Sequence, residues 1–246
     1  MTTSCQSVAG AAEGVDRAAT LTASADPQFQ TGSRCSEDDM ARVARRHSVA
    51  NPTLADLEAA RQMFEAVEPR DLFYRLSMQL MKDAMAGVGP FSRAEALAVL
   101  LQTWNRSYYQ RLRRPFDAAH FAAIEGLLAG NGPFLAAVDG RTIESLNAAD
   151  ESSVRGLFAQ FEAVLGPTGA SKALHLLACR FFPLWDGAIA ARAYGLYARD
   201  DRDYWRLVSA AAAQVRDLGG EEVVGRNPLK AIDEYNYCRY TLGRLS

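Results

Sequence analysis

From about residue 37 to the end of the chain, apolar positions recur with the 3.6-residue period of helices and not with the two-residue period of strands. "NPTLADLEAARQMFEAVEP" begins with Thr53 as an N-cap, because a hydroxyl there accepts from an otherwise free N–H of the first turn. "PRDLFYRLSMQLMKDAMAG" carries apolar residues at Leu72, Leu76, Leu80 and Met81 before Gly87, which predicts a second helix with that stripe toward the core. Ser92 followed by Glu95 has the spacing of a capping box and predicts a helix from about 93 to 112. Asp117 opens another in "FDAAHFAAIEGLLAGN", and "ADESSVRGLFAQFEAVLG" carries a further one to about Leu165. Near the end, "DRDYWRLVSAAAAQVRDLGG" and "NPLKAIDEYNYCRYTLGRL" read as two more. The last has Asn227 as cap, Pro228 at its first helical position, and a core stripe of Ile232, Tyr235, Cys238 and Leu242. Strand signals and internal repeats are absent, so the expected fold class is all-α.

Residues 1 to about 36 break this pattern. They are rich in Ala, Ser, Thr and Gly and poor in large apolar side chains, which predicts a disordered N-terminal tail at 1–36 ahead of a helical domain at 37–246. That domain is expected as one body or as two helical subdomains around a cleft. The tail has neither the apolar core of a secretory signal nor the arginines of a transit peptide. A hydrophobic fraction of 49% and a charged fraction of 23% match soluble globular chains, and no apolar run approaches a membrane span, so no membrane partner is expected. Cys5, Cys35, Cys179 and Cys238 lie too far apart for a zinc motif and are too few for a disulfide scaffold, pointing to a reducing cytoplasm. With His47, His120 and His175 equally scattered, no metal and no cofactor are expected, and the chain is expected to be a monomer.

A net charge of −2 excludes a general basic attraction to nucleic acid, so any such binding must be local. One patch qualifies: "WNRSYYQRLRRPF" holds Arg106, Arg111, Arg113 and Arg114 without an acidic residue. It fits a solvated helix end as well as a phosphate contact.

The chemistry concentrates in "GPTGASKALHLLACRFFPLWDGAIAARAYG", Gly166 to Gly195. Gly166, Pro167 and Gly169 permit a tight reversal between two helices, and free N–H groups at the start of the second would suit a phosphate. Lys172 lies in the first turn of that helix, where the dipole disfavours a cation and lowers an amine's pKa. Such a shift is what a nucleophilic lysine needs, yet a surface lysine reaching for water fits the spacing too. Asp186 reads as the cap of the next helix. The helix from 172 to 178 advances ~10 Å and the connector 179 to 185 spans up to roughly 23 Å, so the carboxylate can return to the lysine.

A glycine hairpin, a lysine, a helix and an aspartate at the start of another helix, in that order, resemble the signature of the helix-hairpin-helix DNA glycosylase superfamily. The combination "ASKALHLL…FFPLWD" is similar to small bacterial proteins of the 8-oxoguanine-glycosylase type. The resemblance covers roughly residues 70 to 243 and implies a helix-hairpin-helix fold, with Gly169 as hairpin glycine, Lys172 as nucleophile and Asp186 as catalytic aspartate. Upstream, "AEALAVLLQTWNRSYY" looks like the family segment that fills the gap left by an extruded base, which implies a DNA-binding role for Gln102, Trp104, Asn105 or Arg106. Trp104 and Tyr108, four apart, also fit a packed stripe. Ser171 falls beside the hairpin, and Trp185 either stacks on a base or fills the core. The chain departs from the family in placing its hairpin glycines three apart, in a shorter interval from lysine to aspartate, and in lacking the four-cysteine cluster of endonuclease III, so no iron–sulfur cluster is expected.

The activity implied is excision of a damaged or modified base from DNA as an N-glycosylase, with or without AP-lyase cleavage of the strand. The nucleotide must first be rotated out of the duplex, because its reacting carbon is inaccessible in the stack. Two alternatives use the same residues differently: a non-catalytic helical nucleic-acid-binding protein, and an enzyme cleaving the N-glycosidic bond of a small nucleoside-like substrate.

Overall fold

The structure, a computed structural model, describes residues 51–111 and 115–245; the expected tail at 1–36, residues 37–50, Arg113 and Arg114 lie outside it. Among the described residues every regular element is helical. Helix α1 (Leu54–Val67) starts as its sequence dictates: Thr53 Oγ1 accepts from Asp56 N while the Asp56 carboxylate accepts from Thr53 N. After α2 (Asp71–Met85), helix α3 (Arg93–Trp104) begins with the same reciprocal device between Ser92 and Glu95.

Two expectations are corrected here. The stripe read for α2 holds at its C-terminal end, where Met81 is buried and Leu80 partly so, but Leu72 and Leu76 are 56% and 45% exposed, and Tyr74 and Ser77 are buried in their place. The rotation follows from Tyr74, whose hydroxyl finds a buried partner in His175 at 2.8 Å and whose ring stacks on Trp104 at 5.4 Å. A buried hydroxyl needs such a partner, while a leucine stripe can face water at a smaller cost. The single helix expected over 93–112 is broken at Asn105, which separates α3 from a short α4 (Arg106–Arg111). Asn105 is buried, and its amide donates to Leu165 O at 3.2 Å, so its side chain serves the neighbouring turn.

Helix α5 (Ala118–Gly130) is capped by Asp117, which accepts from His120 N at 2.9 Å. The short α6 (Gly132–Val138) and two 3-10 turns lead into α7 (Glu151–Leu177), around which the fold is arranged, since α2, α3, α5 and a later helix, α9 (Asp201–Asp217), all pack on it. Inside α7 the backbone leaves the helix once, at Gly166 with φ 68° and ψ 167°, and Pro167 opens the second half. Only glycine takes this conformation readily. The turn is covered: a Cβ on Gly166 would lie 2.5 Å from the Tyr108 ring, and one on Gly169 would lie 2.5 Å from the Asn105 amide nitrogen. The Tyr108 hydroxyl also donates to Val164 O at 3.3 Å.

Helix α8 (Gly187–Tyr194) precedes α9, and α10 (Gly220–Val224) precedes α11 (Pro228–Asn236). The cap of α11 is Asn227, accepting from Leu229 N and Lys230 N at 3.0 and 3.2 Å. Helix α11 packs against α1, so the two ends of the described chain close on each other. Ile232, Tyr235 and Cys238 are buried there as the stripe predicts. Gly166→Ala should lower stability by about 2–4 kcal/mol, combining a left-handed alanine with overpacking against Tyr108. Gly156→Ala, at a helical glycine with open space around it, should raise it by about 0.5–1 kcal/mol. Urea midpoints of the two variants measure both effects.

Candidate functional site

The stretch between α7 and α8, residues 178–185, has little backbone pairing of its own and is held by side chains from around it. Ser171 Oγ accepts from Trp185 N at 3.0 Å and donates to Thr168 O at 3.2 Å. Asn227 donates to Cys179 O at 2.9 Å, and the Tyr204 hydroxyl donates to Pro183 O at 3.4 Å. His175 Nδ1 donates to Phe182 O at 2.7 Å, which leaves Nε2 to accept from the Tyr74 hydroxyl. Complete burial pushes this imidazole down to about 4, so it is neutral and its tautomer is set by its two partners. Aromatic packing closes the rest: Phe158 stacks on Tyr204 at 4.1 Å, and Trp185, 1% exposed, packs against both.

This anchoring delivers Asp186 to the N-terminus of α8, where its Oδ1 accepts from Ala188 N and Ile189 N at 2.8 and 3.2 Å. Its exposed carboxylate and the Lys172 side chain line one pocket with a cavity of about 140 Å³. The walls come from across the fold: Phe64 on α1, Trp104 at the end of α3, Trp185 before α8, Asp233 on α11 and Tyr237 just after it.

The Lys172 ammonium donates to the carbonyl of Trp104, one of the unpaired terminal carbonyls of α3, and lies 5.8 Å from that tryptophan's ring centroid. Burial pushes the amine down to about 8; the Asp186 and Asp233 charges pull against the shift without cancelling it, and Arg70 adds to it. A neutral amine keeps a lone pair while one N–H still serves the carbonyl, so the contact orients the nitrogen without consuming its nucleophilicity. At neutral pH roughly one molecule in ten carries a free amine there, about three hundredfold more than for an ordinary lysine.

Four further polar residues of the pocket, Glu68, Arg70, Asp233 and Tyr237, are not singled out by the sequence. Glu68 is buried at the end of α1 and accepts from Arg70 Nε and from the Tyr237 hydroxyl at 2.7 and 2.9 Å. The guanidinium of Arg70 holds that carboxyl below its usual range. Asp233 is half-buried, and burial pushes its carboxyl up to about 6 against the opposing pull of Lys230. The signal for Asp233 is an acidic residue at a core-spaced position: Leu229, Ile232, Asp233 and Asn236 follow the 3.6-residue rhythm of one inward face. Glu68, Arg70 and Tyr237 had no such mark, since they meet only through the packing of α11 on α1.

Of the residues named from sequence, Lys172, Asp186, Trp104 and Trp185 share this pocket. Gly169, Ser171 and Asn105 are buried in the packing of the α7 turn and its connector, and none of them lines it. Gln102 and Arg106 are exposed, two residues to either side of Trp104. Among the described residues no group of three or more His, Cys, Asp or Glu is placed to hold a metal ion, and no single helix is long and apolar enough to cross a membrane. No protein-family model, curated protein or solved structure matches the chain significantly.

A lysine that loses its proton near 8 when folded and near 10.5 when unfolded destabilises the fold at every pH below 8, and this cost is relieved as pH rises from 8 to 10.5. Lys172→Met should therefore raise stability at pH 7, by about 1–2 kcal/mol after loss of the bond to the Trp104 carbonyl, and the gain should vanish near pH 10.5. Denaturant unfolding of both proteins from pH 6 to 10.5 checks the sign and the window.

Proposed function

We propose that the chain is an N-glycosylase acting on a damaged or modified base in DNA, with Lys172 as nucleophile and Asp186 as the carboxylate that stabilises positive charge on the sugar. The observation that carries this reading is the pairing, in one aromatic-walled pocket, of a desolvated amine with a carboxylate fixed at a helix N-terminus. The order of hairpin, lysine and aspartate resembles the glycosylase superfamily, and a glycine turn inside α7 precedes Lys172. A cavity of about 150 Å³ holds a benzene ring, so one of about 140 Å³ has room for a single flat ring among Phe64, Trp104 and Trp185.

In this mechanism the nucleotide enters the pocket rotated out of the duplex. The Lys172 lone pair forms a bond to the sugar C1′ as the glycosidic bond breaks and its electron pair departs with the base. The sugar passes through an oxocarbenium-like state whose charge the Asp186 carboxylate offsets. Opening of the sugar ring converts the adduct to a Schiff base, from which β-elimination can cleave the strand. Exposed Gln102 and Arg106 supply contacts to the strand flanking the pocket.

One observation favours a second reading, in which the protein binds nucleic acid without turnover: the Lys172 nitrogen caps the last turn of α3 through the Trp104 carbonyl, a structural use of a lysine. Borohydride trapping on a panel of lesion-bearing and hypermodified duplexes separates the two. Lys172→Gln should abolish the trapped protein–DNA adduct, and Asp186→Asn should slow base release by about two orders of magnitude or more. Full base release by a folded Asp186→Asn protein excludes the mechanism, and binding unaffected by Lys172→Gln with no release from any duplex favours the second reading.

A further inference from the structure

Asp233 has no assigned part in the reaction just described, yet its surroundings set it apart from every other carboxylate near Lys172. Glu68 accepts from Arg70 and Tyr237; Asp186 accepts from two backbone N–H groups; Glu234 accepts from Arg226 at 2.6 Å and pairs with Lys230 at 3.1 Å; Asp71 pairs with Lys230 at 3.3 Å. Among the described residues, no donor bonds the Asp233 carboxylate and no cation forms a close ion pair with it. It also lines two spaces at once: the pocket with Lys172 and Asp186, and a smaller cavity of about 20 Å³ that Asp186 shares. That volume suffices for one water molecule, which needs polar partners such as these two carboxylates.

From this placement we infer that Asp233 is the proton acceptor for Lys172, taking the proton released from the amine nitrogen as that nitrogen bonds to carbon. The inference rests on Lys172 acting as an amine nucleophile. In the balanced step the lone pair of the neutral amine forms the N–C bond and the glycosidic electron pair leaves with the base. The nitrogen, now positively charged, gives one proton through a water in the pocket to the Asp233 carboxylate, and the resulting carboxylic acid returns that proton to the departing base, so amine and glycosidic bond become adduct and neutral base. The two carboxylates then divide the work. Asp186, tied to the helix N-terminus, remains a fixed charge, while Asp233, free of donors, exchanges a proton. Two acids of one site held in such different surroundings commonly take separate acid–base and electrostatic roles. The charged groups facing Asp233 are Lys172 from α7, Asp186 from the N-terminus of α8, and Lys230 and Glu234 from its own helix, with the Tyr74 and Tyr194 hydroxyls also within its field. With the carboxyl near 6 and the amine near 8, both are unprotonated together in most molecules only above about pH 8.

The test uses the full chain and a small aldehyde, so that it does not depend on DNA. Glycolaldehyde with cyanoborohydride alkylates free amines through a Schiff base, and mass spectrometry reports the rate at Lys172 from pH 5 to 9.5. In the wild type the logarithm of the rate should rise with slope two below about pH 6, where both groups lose protons, and slope one from there to about 8. Asp233→Asn should give slope one throughout and a plateau about a hundredfold lower. Asp233→Glu should keep the steeper acid limb with a reduced plateau, and it carries the same reading if the asparagine variant does not fold. An unchanged plateau with the Lys172 rise merely displaced to lower pH, or a Lys172 no more reactive than the exposed Lys82, overturns the inference. Asp233-dependent labelling without base release from any duplex upholds it and removes the glycosylase reading; base release with labelling indifferent to Asp233 does the reverse.

Discussion

Between Leu177 and Asp186 the chain has to leave one helix, turn back, and start another with its first residue beside the side chain of Lys172. Eight residues without regular structure leave most of their backbone groups without partners among themselves, and each unpaired group in a buried place would cost about 1–3 kcal/mol. Ser171, His175, Tyr204 and Asn227 each bond a different backbone group of this connector. The arrangement is cooperative because His175 is held in turn by Tyr74, and Tyr74 stacks on Trp104, the wall of the pocket. Support for the connector and shape of the pocket therefore rest on the same buried chain of contacts. The phase of α2 follows from it as well, since Tyr74 can reach His175 only if Leu72 and Leu76 turn outward.

The pocket sets burial against charge. Lys172 and Asp233 are shifted in opposite directions by the same cause, loss of water, and each shift moves the pair toward neutrality near physiological pH. Their mutual attraction opposes both shifts without reversing them, while the Asp186 charge opposes that of Lys172 and adds to that of Asp233. Behind the wall, Lys230 stays among Phe64, Tyr74 and Trp104 rings, with the nearest centroid at 4.1 Å, and contacts Asp71 and Glu234 without hydrogen-bond geometry. A region so rich in desolvated charge contributes little to stability, and the apolar packing along α7 supplies the stability that tolerates it.

Helix positions and caps were readable because their causes are local. Thr53, Ser92, Asp117 and Asn227 act on N–H groups two or three residues away, and nothing distant intervenes. The break at Asn105 was not readable, because its cause is the Leu165 carbonyl 60 residues away, and the sequence from Arg93 to Arg111 has helical character throughout. The same holds for Leu72 and Leu76, where an apolar stripe was visible but the rotation of the helix depended on a hydroxyl's distant partner.

For the site, the order of the glycine turn, Lys172 and Asp186, the capping role of Asp186, and a connector long enough to bring the two together are written along the chain. These follow from spacing and backbone chemistry in one continuous stretch. Packing of distant segments is what makes both line one pocket, brings Phe64, Glu68, Arg70, Asp233 and Tyr237 to them, and turns Gly169, Ser171 and Asn105 inward. Burial is a property of many chain segments at once, and it is burial that moves the Lys172 amine and the Asp233 carboxyl, so their chemistry could not be read from the residues flanking either one.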